Sequence, residues 1–139
     1  MTAMPKAAPS GAAAASRPLM VVLRALFLAE AVGGLVLAIF LSMLAGATAD
    51  GDTETSLRFA AGAALLFAIF VAVASRGVRR RRSWAWTLGA VLQVILAIGT
   101  GLAVFIGSWH PAYLIGFAFA AVVMIVLSTA SARRALGQD

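Results

Sequence analysis

Four apolar stretches alternate with short polar segments along the 139-residue chain. They run over about residues 19–45, 57–75, 84–106 and 112–132. Because an α-helix rises 1.5 Å per residue, about 20 apolar residues cross the ~30 Å hydrocarbon core of a bilayer. The pattern predicts an all-α, polytopic membrane protein in which residues 19–134 form a bundle of four transmembrane helices.

The polar segments predict where the helices end. Residues 46–56 carry three acidic side chains, and residues 76–83 carry five arginines. The third break, Gly-Ser-Trp-His-Pro at 107–111, is short, and its proline lacks an N–H and disfavours helix at the residue before it. Without this break, one uncharged stretch would run over residues 83–132, which is far too long for a single crossing.

The two ends of the chain are polar or low in bulky apolar residues. Residues 1–18 are rich in Ala, Pro, Ser and Gly and predict a disordered tail, with Pro18 at the start of the first helix. Residues 135–139 form a short polar end. A cleaved signal peptide is an alternative for the first stretch, since Ala-Thr-Ala follows it at 47–49. Its apolar length is about twice that of an ordinary signal, which favours a retained helix.

Composition supports the membrane interpretation. The chain is 63% hydrophobic and only 12% charged, and a soluble domain of this size could not cover so apolar an interior. The length allows one bundle and no second domain. The absence of cysteine excludes disulfides, thiolate nucleophiles and thiolate metal sites.

Basic residues predict the orientation. If four helices alternate, Arg58 lies on one side and the other ten of the eleven Lys and Arg residues lie on the opposite side. Basic residues favour the cytoplasmic side, so both termini are expected in the cytoplasm of a bacterial plasma membrane. The arginines expected to determine this topology are Arg76, Arg79, Arg80, Arg81, Arg82, Arg133 and Arg134.

The same distribution predicts what surrounds the chain. Trp84 and Trp86 are expected at the cytoplasmic boundary of the bilayer, and Trp109 and Tyr113 at the outer one, as an aromatic belt. The arginine-rich loop is expected to contact anionic lipid headgroups. An eight-residue loop between two spans is poorly shaped to read a nucleic-acid groove, so no nucleic acid is expected as a partner.

Two polar side chains lie inside the predicted spans. Glu30 costs several kcal/mol in lipid unless it is protonated, paired or exposed to a watery cavity. Gln93 lies at a matching depth on the third span, so we expect these helices to be neighbours and the two side chains to form a hydrogen bond. Glu30 is then either a packing group or a group that couples protons or binds a substrate.

Other candidates for chemistry are weaker. Asp50, Asp52 and Glu54 could hold a divalent cation loosely, but they lack the full calcium-loop pattern and are expected to form a solvated loop that balances Arg58. His110 has no second histidine, cysteine or nearby carboxylate in sequence. We therefore expect no catalytic residue, no metal site, no cofactor and no enzymatic activity.

With these residues in view, the chain resembles the uncharacterised small four-helix integral membrane proteins common in high-GC Gram-positive bacteria. The resemblance lies in Leu-Ala-Glu at 28–30, Trp-Ala-Trp at 84–86, Leu-Gln at 92–93 and Arg-Arg at 133–134. It implies a four-helix membrane fold and no particular activity.

A narrower resemblance concerns the first span. Leu-Ala-Glu-Ala-Val-Gly at 28–33 is similar to the first helix of the small multidrug resistance transporters, which exchange protons for cationic drugs. This resemblance implies that Glu30 is the coupling carboxylate, although the Tyr-Ala-x-Trp feature of that family's later helices is absent here. Two functions are thus expected: a non-enzymatic accessory or structural subunit with a membrane-protein partner or as a homo-oligomer, or alternatively a small proton-coupled transporter.

Overall fold

The computed structural model describes residues 11–106 and 111–136, which form helices and short turns and no strand. The helices are α1 (Gly11–Ala47), α2 (Gly51–Arg79), α3 (Ser83–Phe105), α4 (Pro111–Ser128) and α5 (Ala130–Ala135). The predicted turn at 107–110 lies outside the described residues.

Within the described part of the chain, three helices are long and apolar enough to cross a membrane. Their apolar portions are Pro18–Ala47 in α1, Gly51–Arg79 in α2 and Ser83–Leu102 in α3, while α4 contributes the shorter apolar segment Tyr113–Ser128. The all-helical class and the apolar character of the bundle are therefore confirmed. The number of crossings and their orientation stay predictions.

The first helix begins earlier than predicted. It starts at Gly11 and continues through Pro18, so residues 11–18 are helical and not a disordered tail. Four consecutive alanines at 12–15 explain the difference, because alanine has the highest intrinsic helix propensity. Residues 1–10 lie outside the described part of the chain.

Both predicted polar loops are shorter in the structure. The first is reduced to residues 48–50, and the second to the turn at 80–82. Acidic side chains are favourable in the first turn of a helix and basic ones in the last turn, because they oppose the partial charges of the helix ends. The helix α2 therefore takes in acidic residues at its start and Arg76 and Arg79 at its end.

The start of α2 is capped by an acidic side chain. Asp50 accepts a hydrogen bond from the Thr53 backbone N–H at 3.2 Å and another from the Thr53 hydroxyl. These bonds stabilise the charged carboxylate and lower the pKa of Asp50 from its ordinary value. Glu54 forms an ion pair with Arg58 at 2.6 Å, so an acidic residue of this segment does balance Arg58.

The buried core lies at one end of the bundle. Its side chains come from the beginnings of α1 and α3, the ends of α2 and α4, and α5: Leu23, Phe27, Val71, Ala74, Val78, Ala85, Leu92, Val123, Leu127 and Leu136. We call this the arginine end, because the turn at 80–82 closes it. The opposite end, with the loop at 48–50, is the acidic end. Antiparallel hairpins α1–α2 and α3–α4 meet most closely at the arginine end.

Small residues set the spacing of the helices. A Cβ added to Gly34 of α1 would lie 3.1 Å from the Cβ of Ala68 on α2, so these two backbones approach closely. At the arginine end, a Cβ on Gly77 would lie 2.7 Å from the Cβ of Ala85 and 2.8 Å from the Trp84 ring. Close packing in the bundle therefore depends on glycine at these positions.

The predicted fourth span is interrupted near its end. The Thr129 hydroxyl donates to the Val126 carbonyl and accepts from the Ala132 N–H, and this local bonding competes with the helical pattern. The helix predicted over 112–132 therefore ends at Ser128, and α5 turns back onto the bundle. Leu136 is fully buried, so the expected polar end at 135–139 begins inside the core.

Candidate functional site

The site begins with the side chains of Glu30 and Gln93. The Gln93 Nε2 donates a hydrogen bond of 2.7 Å to the Glu30 Oε2. One turn nearer the arginine end, the Phe27 ring of α1 packs against Gly89 of α3. A Cβ added to Gly89 would lie only 2.7 Å from the Phe27 Cζ. The helices α1 and α3 run in the same direction, but their backbones are not closely packed, and they meet through long side chains that reach across the bundle. The structure brings together the pair that sequence depth predicts.

The hydrogen-bonding capacity of this pair is not used up. The Glu30 Oε1 and the Gln93 Oε1 are both buried and have no hydrogen-bond partner among the described residues. Buried acceptors without a donor cost free energy in an apolar environment. A proton on Glu30 would remove its charge and convert one acceptor into a donor. A protonated Glu30 would therefore suit this buried position better than a charged one.

A cavity of about 590 Å³ opens beside Glu30 on the side of the acidic end. All four long helices line it, and glycines create the space: a Cβ on Gly33 or Gly99 would meet no atom within 4 Å. The walls are apolar apart from Glu30 and Thr100, whose hydroxyl donates to the Leu96 carbonyl at 2.7 Å. Among the described residues, Glu30 is thus the one ionisable side chain that lines the cavity.

The predicted aromatic residues occupy both ends. Trp84 is exposed, whereas Trp86 is partly buried and its Nε1 donates to the Leu127 carbonyl at 3.0 Å. This bond ties α3 to α4 and was not predicted. Tyr113 lies near the start of α4, at the acidic end. Trp109 and His110 lie outside the described residues.

The arginines predicted to determine topology gather at one end of the molecule. Five lie in the last turns of α2 and the turn that follows, and two lie in the short helix α5: Arg76, Arg79, Arg80, Arg81, Arg82, Arg133 and Arg134. Since α5 packs against α1 and α4, both groups surround the buried core.

Sequence reasoning missed the cavity. The sequence does contain one indication of it, which is that glycines on different helices lie at a depth similar to that of Glu30. However, a glycine can mark either a cavity or a close helix contact. Gly33 faces open space, whereas its neighbour Gly34 packs on Ala68. Among the described residues, no group of three His, Cys, Asp or Glu side chains is arranged to hold a metal ion.

The fold and site together define a helical, apolar bundle with a buried carboxyl–amide pair beside a cavity. Comparisons with protein-family models, with curated proteins and with solved structures found no match. The two resemblances noted in the sequence therefore stay expectations.

Proposed function

We propose that the chain is a non-enzymatic integral membrane protein of the bacterial plasma membrane, acting as an accessory or structural subunit. It crosses the bilayer four times with both termini in the cytoplasm. The observation that carries the proposal is the Glu30–Gln93 hydrogen bond, which joins the two hairpins inside the bundle. Its position indicates a packing role for the most chemically distinctive residues of the chain.

The outer surface supports a role in association. Bulky apolar side chains stay exposed along all four long helices, for example Val36, Phe59, Ile98 and Ile125. Lipid chains or the helices of another membrane protein can cover such a surface, because both are apolar. We infer that the chain associates either with a membrane-protein partner or with a second copy of itself.

Purification from the native membrane tests the accessory role. The tagged chain, extracted in mild detergent, should co-purify with one partner in fixed proportion or run as a defined homo-oligomer. A second tagged four-span protein from the same membrane is the control for nonspecific carry-over. Recovery of a monodisperse single chain, with no partner even after cross-linking in the intact membrane, would argue against a subunit role.

Topology gives a further prediction. Reporter fusions at the C-terminus and in the turn at 80–82 should report cytoplasm, and fusions in the loop at 48–50 should report the outside. Replacing the arginines at 79–82 with glutamine should increase the fraction of inverted molecules, while the same change at Arg58 should not. An outside signal from the C-terminal fusion would contradict four crossings with both termini inside.

The cavity favours a second candidate function, proton-coupled transport of a hydrophobic cation. Glu30 lines this cavity among apolar side chains, and a carboxylate in an apolar cavity is the arrangement that a lipophilic amine would require. A transporter of this kind would exchange the proton of Glu30 for the cation. Filling the cavity distinguishes this candidate from the first.

Gly99→Leu provides that test, because a side chain at this position enters open space. Gly46→Leu is the matched control, since a Cβ at Gly46 also meets no atom within 4 Å, and Gly46 does not line the Glu30 cavity. If the chain is structural, both variants should behave like the wild type in partner association. Loss of cation-dependent activity in Gly99→Leu alone would favour transport.

A further inference from the structure

A small polar cavity lies at the arginine end between α1 and α2. Its volume is about 210 Å³, and it is lined by Arg24, Leu28, Ala72, Ser75, Arg76 and Arg79. Three of these six residues are arginines, and they come from two different helices. Of the seven arginines predicted to set the topology, only Arg76 and Arg79 reach this cavity, while Arg24 joins them from α1.

The three guanidinium groups have no counter-charge in the described structure. They form no hydrogen bond or ion pair there, since Glu30 bonds to Gln93 and the other described carboxylates lie at the acidic end. Like charges that line one small cavity repel each other, and an anion between them would relieve this repulsion. A phosphate group suits the position, because guanidinium groups bind phosphate oxygens through paired N–H donors.

An apolar groove continues from the same place along the α1–α2 face. A second cavity, of about 310 Å³, shares Leu28 and Ala72 with the first and is lined only by apolar residues. A third cavity, of about 690 Å³, shares Leu35 and Leu65 with the second and extends the groove to Met43, where Ser42 and Arg58 also line it. From Leu28 to Met43 the helix rises about 22 Å, which is most of the ~30 Å thickness of the hydrocarbon core of a bilayer.

We propose that this face of the α1–α2 hairpin binds one anionic phospholipid. Arg24, Arg76 and Arg79 hold its phosphate, and an acyl chain lies along the groove that begins at Leu28 and Ala72. The inference rests on the proposed membrane location but not on the accessory role. An apolar groove directly below the charged cavity is what distinguishes a lipid from free phosphate as the occupant.

Native mass spectrometry of the full chain in mild detergent tests the site. With phosphatidylglycerol added, the wild type should retain one lipid, and with phosphatidylcholine it should retain none at the same concentration. A juxtamembrane arginine contributes about fivefold to the binding of anionic lipid, so Arg76→Gln/Arg79→Gln should weaken it about twenty-fivefold. Arg24→Gln, on the other helix, should weaken it about fivefold.

The control is Arg80→Gln/Arg82→Gln, which removes the same charge from the same end but outside the cavity. It should change phosphatidylglycerol binding less than about threefold, because salt largely screens the attraction between a bound phosphate and exposed charges outside the cavity. Equal weakening by the two double variants would overturn the site in favour of diffuse charge attraction. Thermal unfolding in the presence of phosphatidylcholine establishes that each variant is folded. If a double variant does not fold, Arg24→Gln tests the site independently.

Inorganic phosphate distinguishes the two sources of the phosphate group. If a lipid is the ligand, millimolar phosphate should not displace phosphatidylglycerol, because inorganic phosphate has no acyl chain to bind in the apolar groove. Displacement of the lipid by phosphate, or equal retention of both lipids by the wild type, would overturn the proposal.

Discussion

Replacing Glu30 with leucine is expected to destabilise the purified protein by about 2 kcal/mol, which combines a lost interhelical hydrogen bond with a stranded buried amide on Gln93. Glu30→Gln should stay within about 0.5 kcal/mol of the wild type, because an amide keeps the size and an acceptor for the Gln93 N–H. The measurement is thermal unfolding in mild detergent, followed for both variants under identical conditions.

A double-mutant cycle separates the pair from its surroundings. Gln93→Leu alone should cost about as much as Glu30→Leu, and the double variant should cost less than the sum, with a coupling of about 1 kcal/mol. Simple additivity of the two single changes would mean that the hydrogen bond contributes nothing to the stability of the bundle.

The second large effect is expected at Gly77. A leucine there would place its Cβ against Ala85 and the Trp84 ring, both closer than 3 Å, so α2 and α3 would have to separate at the arginine end. We expect a loss of about 3 kcal/mol or failure to fold, because overpacking a close helix contact forces backbone shifts. Thermal unfolding and yield of monodisperse protein measure it.

Gly62→Leu is the matched control for Gly77→Leu. Both substitutions add leucine to α2, but the new Cβ at Gly62 meets no atom within 4 Å. It should therefore leave stability nearly unchanged or raise it slightly, since leucine has a higher helix propensity than glycine by about 0.8 kcal/mol. Equal losses of stability at both positions would show that the close contact between Gly77 and Ala85 does not cause the destabilisation.

The positions of the helices were largely predictable from the sequence. Helix α3, observed over Ser83–Phe105, differs by one residue at each end from the span predicted over 84–106. Charge and proline mark these ends, and both act locally. The predicted loops were too long because the acidic residues near Asp50 and the arginines near Arg79 stabilise the helix ends that they flank.

The contact between Glu30 and Gln93 could also be anticipated, because depth in a helix follows from counting residues. The cavity beside them could not. It depends on how far the two hairpins separate beyond the core, and that separation is set by which glycines touch a neighbour. Gly34 and Gly33 are adjacent in sequence, yet only Gly34 packs closely on α2. The helix break at Thr129 likewise depends on the hydrogen bonds that its hydroxyl forms, and these follow from the folded structure.

The role of Glu30 is the central claim, and proton release tests it most directly. Lightly buffered, purified protein is mixed with a hydrophobic cation such as tetraphenylphosphonium, and the pH change is compared between the wild type and Glu30→Gln. A carboxyl group that packs against Gln93 releases no proton in either protein, and this is the result we predict. Cation-induced proton release by the wild type that disappears in Glu30→Gln, with folding intact, would contradict the packing role and establish Glu30 as an exchange site.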